Sequence, residues 1–291
     1  MEAEVINKVK ELQMVDKRML QIAAEELHLH IEVENALIKM HLFDVRDNEV
    51  VAFETTNLHN EYYEFDNDRL QQFFSESPLQ LKRKFQKTTL SIVSNKYVLV
   101  PTALFVKEKK SDYLSTSCAI GENDVVLSKE INFINAHAVF AVPLALKEIM
   151  DQQFNGIQYL PHVVPSYLSL HNLFKSEKEA ILFVNMHSEF YDIVLFEKGQ
   201  LKLFTTHAIE TTEDFLYYTF YTLEQMKISA SDTPVFLTGE VEKNSAIHEI
   251  LLKYFKKSSW ILKSSPYKMA YELNSINPYF YFSHFSQYLC V

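Results

Sequence analysis

Glycine is nearly missing from this chain: 4 in 291 residues, where an average composition would supply roughly 20. Turns that cradle phosphate by close backbone approach, often with positive φ, depend on glycine, so such features are scarce here. Cysteine is scarcer still. Cys118 and Cys290 show no metal-ligand spacing and no disulfide framework, which makes a reducing cytoplasm the expected compartment. Positive charge is in deficit, with 28 Lys and Arg against 38 Asp and Glu and a net charge of −10. Phosphate backbones need a basic surface, so nucleic acid is not the expected partner. Long apolar runs are absent as well. The longest, Ala136 to Leu146, contains His137 and Pro143 and falls far short of the ~20 residues of a membrane span. The opening MEAEVINKVKELQ alternates charged and apolar residues, unlike the continuous apolar core of a signal peptide. Membrane association is therefore not expected.

What is present is core material. Hydrophobic residues make up 47% of the chain and aromatic residues 13%, enough to bury one large domain or two of middle size. Residues 1–20 read as a charged, frayed lead-in. LHLHIEVEN, ALIKMHLFDV and EVVAFETT then alternate as a three-stranded meander. Asp66 and Asn67 are placed to cap a short helix ending before Pro78. Strand-like runs follow at 88–95, 96–105, 124–135 and 137–142, with Lys107–Ser117 as the expected exposed loop. PLALKEIMDQQFNG carries proline at its start and glycine at its end, the helix-boundary asymmetry. A short strand, IQYLPHV, and a helix, VPSYLSLHNLF, close the first half. After the charged break 175–179 the meander recurs as AILFVNMHS, EFYDIVLFEKG and QLKLFTTHAIE. A helix at 212–227, the strand PVFLTG and a helix at 244–256 complete the second half. The division expected is 1–175 and 176–291, two similar α/β halves around a cleft where a ligand would sit.

The hairpins carry a resemblance. The first reads Ile31-Glu32-Val33-Glu34-Asn35-Ala36-Leu37-Ile38-Lys39, the second Val184-Asn185-Met186-His187-Ser188-Glu189, and downstream stands Phe236-Leu237-Thr238-Gly239-Glu240. In this order they resemble the actin-like ATPase superfamily, nearest its pilus-assembly and cell-division branch. The chain also resembles an uncharacterised bacterial family with that fold and no assigned function. The resemblance spans about residues 25–260 and implies a duplicated ribonuclease-H-like α/β fold. In the superfamily each half opens with aspartate, one residue and glycine, and in several branches a lysine follows five residues later. Glu32 and Asn185 stand at the aspartate positions, Glu34 and His187 at the glycine positions, and Lys39 at the lysine position. Thr238-Gly239-Glu240 resembles the adenosine motif with one of its two usual glycines.

These departures set the chemistry expected. Glu34 puts a carboxylate where polyphosphate would lie, and like charges ~4 Å apart repel by ~4 kcal/mol at an effective dielectric near 20. His187 adds bulk to the second turn, and Asn185 supplies no charge for a metal–phosphate centre. The expectation is a non-catalytic pseudo-ATPase scaffold that binds an unidentified protein, with no catalytic residue, metal or cofactor. The alternative is a divergent binder of ATP and magnesium through Glu32, Lys39, Asn185 and Gly239. A sugar or small-molecule kinase would need an intact phosphate cleft and a catalytic aspartate. On this reading Glu34-Asn35, Asn185-Met186-His187-Ser188 and Thr238-Gly239-Glu240 face one cleft.

Other constellations read more plainly. His28, His30 and Glu32 form an H-x-H-x-E row on one strand face, but in-line ligands wrap a tetrahedral metal poorly. His187, Ser188 and Asp192 lack a nucleophile elbow and read as an exposed turn. Phe215 to Leu223 surround one helix with apolar groups and read as a helix buried between layers. Lys253, Lys256 and Lys257 sit near a helix end, where cations are favoured. Asn277 to Val291 is too aromatic for a solvated tail, so docking onto the body is expected over display to a partner.

Overall fold

The computed structural model describes residues 11–58, 67–255, 257–260 and 266–290. The chain forms two compact units. One comprises the described residues of Val9–Ser166, Ser265–Ile276 and His284–Val291; the other comprises those of Tyr167–Ser264 and Asn277–Ser283.

In the first unit the meander forms as its alternation implies: β2 (Leu27–Glu34), β3 (Leu37–Asp44) and β4 (Glu49–Asn57) pair antiparallel. Leu29, Ile31, Ile38, Met40 and Leu42 enter one hydrophobic core from one sheet face. Asn35 turns the first hairpin with φ 51°, a conformation asparagine tolerates better than most residues. The lead-in is not frayed throughout: β1 (Leu12–Val15) pairs with β4, opposing Met14 to Phe53. After α1 (Asn67–Glu76), β5 (Lys87–Val93) runs parallel to β2. Asp66, the other expected cap of α1, lies outside the described residues. β6 (Tyr97–Pro101), β7 (Asp124–Ile131) and β8 (Ala136–Pro143) make a separate three-stranded sheet. Between β6 and β7 the expected loop is instead a single turn followed by α2 (Lys110–Ser115). Leu114 anchors that helix in the small sheet's core, and the Tyr113 hydroxyl donates to the Leu104 carbonyl at 2.6 Å. α3 (Leu144–Gln153) begins after Pro143, and β9 (Gln158–Pro161) adds parallel to β5.

The second unit repeats the plan. α4 (Val163–Phe174), whose first turn still belongs to the first unit, leads to β10 (Ile181–Met186), β11 (Phe190–Glu197) and β12 (Gln200–Ala208), an antiparallel meander. α5 (Thr212–Gln225) follows, then β13 (Val235–Gly239) parallel to β10, α6 (Ala246–Tyr254) and β14 (Ser258–Trp260) parallel to β13. The strand orders β4-β3-β2-β5-β9 and β12-β11-β10-β13-β14 are the same order, so the duplication is one of topology. α5 departs from the expected all-round burial. Phe215 and Leu223 face the core, while Tyr217, Tyr218 and Tyr221 are exposed.

The C-terminal segment docks, as its aromatic content implies. Phe282 packs against Phe183 at 5.2 Å in the second unit. In the first, Phe285 lies 5.4 Å from Phe53 and 5.2 Å from His41. Burying such rings stabilises by roughly 1.5–3 kcal/mol each. Among the described residues no helix is long and apolar enough to cross a membrane.

Candidate functional site

Sheet register gathers the expected site residues into two rows, one in each unit. In the first unit Glu32 opposes Lys39 on β3 and Ser91 on β5, and Lys39 opposes Thr55 on β4. The row Thr55, Lys39, Glu32, Ser91 therefore crosses four strands on one face, and all four residues are buried. Lys39 Nζ reaches Glu32 Oε1 at 3.2 Å and Glu34 Oε2 at 3.4 Å. Glu34 thus folds back on the lysine across the hairpin. Asn35 is exposed at the tip.

In the second unit Asn185 opposes Asp192 on β11 and Thr238 on β13, and Asp192 opposes Thr206 on β12. Thr206 Oγ1 donates to Asp192 Oδ1 at 2.6 Å, and Thr238 Oγ1 donates to Asn185 Oδ1 at 2.8 Å. His187 Nε2 lies 3.0 Å from Asp192 Oδ2 and 2.8 Å from Asn185 Nδ2. His187 is 4% exposed, so the expected exposed turn is corrected at this residue: the imidazole turns inward to a carboxylate, while Ser188 stays partly open and Glu189 is exposed. Asp192 follows His187 by five residues as Lys39 follows Glu34, a spacing that makes it the counterpart of Lys39 in the second hairpin.

Gly239 joins this second row through backbone geometry. Its φ is 85°, and a Cβ there would lie 2.1 Å from the Met186 carbonyl oxygen. The Glu240 N–H donates to that carbonyl at 2.9 Å, and the Gly239 N–H donates to the Tyr279 carbonyl at 2.9 Å. The glycine therefore serves close strand packing, and its amide is engaged by the C-terminal segment. Thr238, Gly239 and Glu240 are thus brought together with Asn185 and His187; Glu32, Glu34, Asn35 and Lys39 form the group of the other unit.

The H-x-H-x-E row does not converge. His28 Nε2 shares a hydrogen bond with Gln86 Oε1 at 2.8 Å, and His30 Nδ1 with Thr89 Oγ1 at 2.7 Å, while Glu32 holds Lys39. His30 instead lies against His41 with ring centres 4.7 Å apart and planes tilted by 35°, and His41 Nδ1 shares a 2.9 Å hydrogen bond with His284 Nε2. Burial holds His30, His41 and His284 well below the usual imidazole range; neighbouring His41, His28 and Lys87 add to it at His30, His284 at His41, and Lys39 and His30 at His284.

The first unit also contains a cavity of about 390 Å³ beside the carboxyl ends of β2 and β5. Val33, Ile92, Ala141 and Leu146 give it apolar walls, and Asn35, Lys96 and Asp124 its polar ones. Lys96 and Asp124 are ion-paired at 2.9 Å.

Two meanders, each extended by two parallel strands in the same order, define a duplicated ribonuclease-H-like fold, that of the actin-like ATPases. A Bacteroides thetaiotaomicron protein with actin-like ATPase fold and unknown function is similar, with a TM-score of 0.71 at 17% identity; the match covers 92% of this chain and 97% of that one. The PilM–PilN type IV pilus biogenesis complex is similar at TM-score 0.47 and 13% identity, covering 80% of this chain and 88% of that one. Ethanolamine utilization protein EutJ from Carboxydothermus hydrogenoformans gives 0.42 and 9%, covering 84% and 90%. No curated protein matches the sequence. By its match over residues 16–258, the chain belongs to the DUF3822 family, a protein of unknown function.

Proposed function

We propose that this protein is a non-catalytic actin-like scaffold that works by binding another protein. One observation carries the reading: the lysine at the phosphate turn is held, buried, between Glu32 and Glu34. A polyphosphate would have to displace two carboxylates from that ammonium, with Glu34 standing where its own charge would lie. Repulsion of ~4 kcal/mol at ~4 Å is enough to remove most nucleotide affinity. The Gly239 amide, engaged by Tyr279, points the same way. Both cysteines are free thiols, which fits a reducing cytoplasm.

The test is calorimetric titration with ATP, with and without magnesium, alongside thermal melts. No saturable heat and no melting shift are expected. A ligand at 100 times its dissociation constant would add ~2.7 kcal/mol of stability, so a rise of several degrees would overturn the reading.

The cavity beside β2 and β5 favours a second reading, a divergent nucleotide binder. Ligands in open α/β sheets gather beyond the carboxyl ends of strands, and Asn35, Lys96 and Asp124 line that space. On this reading ATP binds without Lys39, and Lys96→Ala abolishes the heat while Lys39→Met combined with Glu32→Gln and Glu34→Gln leaves it.

A further inference from the structure

The exposed face of α5 is chemically unlike an ordinary solvated helix face. Tyr217, Tyr218 and Tyr221 are 63%, 36% and 49% exposed, although tyrosine at three such positions gives up much apolar area to water. Their rings are mutually ordered: Tyr217 and Tyr221 stack at 6.0 Å and 13°, and Tyr217 meets Tyr218 edge-on at 5.1 Å. Tyr218 is backed by His207 of β12, stacked at 5.0 Å and 8°. Such rings offer large contact area at little conformational cost, and tyrosine is enriched among residues that dominate binding energy.

Charge indicates what the face takes. Glu213 and Glu224 are exposed on the helix; with Tyr217 and Tyr221 they fall at i, i+4, i+8 and i+11, one continuous stripe. The positive end of the helix dipole does not cancel this acidity, because Thr211 and Asp214 close a capping box over the first amides. The chain as a whole carries −10. Cations are attracted to tyrosine faces, and the adjoining α6 shows the contact within the chain, with Lys253 Nζ 5.1 Å from the Tyr254 ring centre.

We propose that the tyrosine stripe of α5 is a docking surface for an arginine-bearing segment of a partner protein, with guanidinium groups on the rings of Tyr217 and Tyr221 and charge pairing at Glu213 and Glu224. Arginine fits better than lysine because its planar group stacks on rings while still pairing with carboxylates. The inference rests on the partner-binding reading above and names the surface and the chemistry of the partner.

The probe is a fluorescein-labelled dodecapeptide with four arginines among alanine and serine, titrated against the full chain by fluorescence anisotropy. Saturable binding is expected, weakened about tenfold (~1.4 kcal/mol) by Tyr217→Ala with Tyr221→Ala. Glu213→Gln with Glu224→Gln should weaken it several-fold and flatten its salt dependence. A lysine version of the peptide should bind more weakly than the arginine one. Both tyrosines are exposed, so the variant should melt like the parent. Equal affinity for parent and tyrosine variant would mean that net charge alone attracts the peptide, and would overturn the proposal. So would absence of binding, or a concentration-dependent dimer that the tyrosine variant dissolves, which would make the stripe a self-interface. ATP titration is independent of these outcomes: nucleotide binding would overturn the non-catalytic reading while the peptide result still decided the surface.

Discussion

The two polar rows occupy equivalent places in the repeated topology, and they are closed by different forces. In the first unit Lys39 is held by charge between Glu32 and Glu34. The outer hydroxyls of that row, Thr55 Oγ1 and Ser91 Oγ, make no hydrogen bond among the described residues. In the second unit the outer hydroxyls are the donors that close the row, Thr206 to Asp192 and Thr238 to Asn185. In both hairpins a side chain near the turn folds back onto the residue five places later, Glu34 onto Lys39 and His187 onto Asp192. A hairpin turn can therefore be filled with an ion pair or with a hydrogen-bonded imidazole. The physical difference lies in what happens when one member is removed.

The largest effect should come from Lys39. Lys39→Met leaves Glu32 and Glu34 buried without their shared cation, a change that destabilises by about 3–5 kcal/mol. Adding Glu32→Gln and Glu34→Gln should restore most of that loss, since a neutral row no longer needs an ion. Asp192→Asn in the second unit should cost less, about 1–3 kcal/mol, because the amide still accepts from Thr206. Chemical denaturation of the three variants checks the order. Equal losses at Lys39 and Asp192 would break the contrast between a charge-held and a hydrogen-bonded row.

Gly239 sharpens it next. The residue paired with Met186 on β13 is Gly239, whereas the equivalent partner of Val33 on β5 is Ile92. Only the second unit needs glycine there. Gly239→Ala drives a Cβ to 2.1 Å from Met186 O and 2.7 Å from Met186 N at positive φ, and should destabilise by about 2–4 kcal/mol. At Gly156, where φ is 75° but nothing lies within 4 Å of the added atom, alanine should lose only about 1 kcal/mol. A comparison of denaturation midpoints separates the close approach from the backbone conformation alone.

A smaller difference is expected at the hydroxyls. Thr238→Val leaves Asn185 Oδ1 buried without its donor and should cost about 1–2 kcal/mol. Ser91→Ala removes a buried hydroxyl that makes no hydrogen bond among the described residues, so it should be neutral or slightly stabilising. A loss of 1 kcal/mol or more at Ser91 would show that its hydroxyl is in use.

Both meanders, the helices after them and the strands β5, β9 and β13 were legible in the sequence, because each rests on local alternation or a helix period bounded by turn residues; the three-residue β14 was too short to show either. The helix at Lys110–Ser115 was not. Its six residues are too few to show a period, and what fixes it is tertiary, the burial of Leu114 in a sheet built partly from later residues. The exposure of Tyr217, Tyr218 and Tyr221 was hidden for a related reason, since hydropathy cannot tell a buried ring from one left on a surface. The two hairpins could be aligned from motif order, but the partners of their side chains could not. Thr206 lies 14 residues from Asp192 and Thr238 lies 53 from Asn185, and only strand register brings them together. His41 and His284, 243 residues apart, left no local signal at all.

That histidine contact gives the smallest expected effect and a last contrast between the units. His30, His41 and His284 are fully buried, and burial lowers all three well below the imidazole value of 6.5. The groups around them are Glu32 and His28 on β2, Lys39 on β3, Thr89 and Lys87 on β5, and Gln287 from the C-terminal segment. The unfolded chain binds these protons near pH 6.5 and the folded chain does so only at lower pH, so acid favours unfolding. Their stabilising effect is complete above about pH 7 and is lost as pH falls through 6.5 toward the folded values. Between pH 7 and 6 each histidine should remove somewhat under ~1 kcal/mol. In the second unit His207 is also lowered by burial, but Asp192 opposes the shift, so that unit should lose less. Denaturation at the two pH values, repeated with His284→Gln, measures the total and the share of one histidine. Hydrogen exchange of the amides in β2 and β3 against those in β10 and β11 then locates the loss. A loss of protection at pH 6, taken relative to the intrinsic exchange rate at each pH and confined to the first pair, fits the buried histidines, whereas an equal loss in both pairs would show that acid acts on the whole chain.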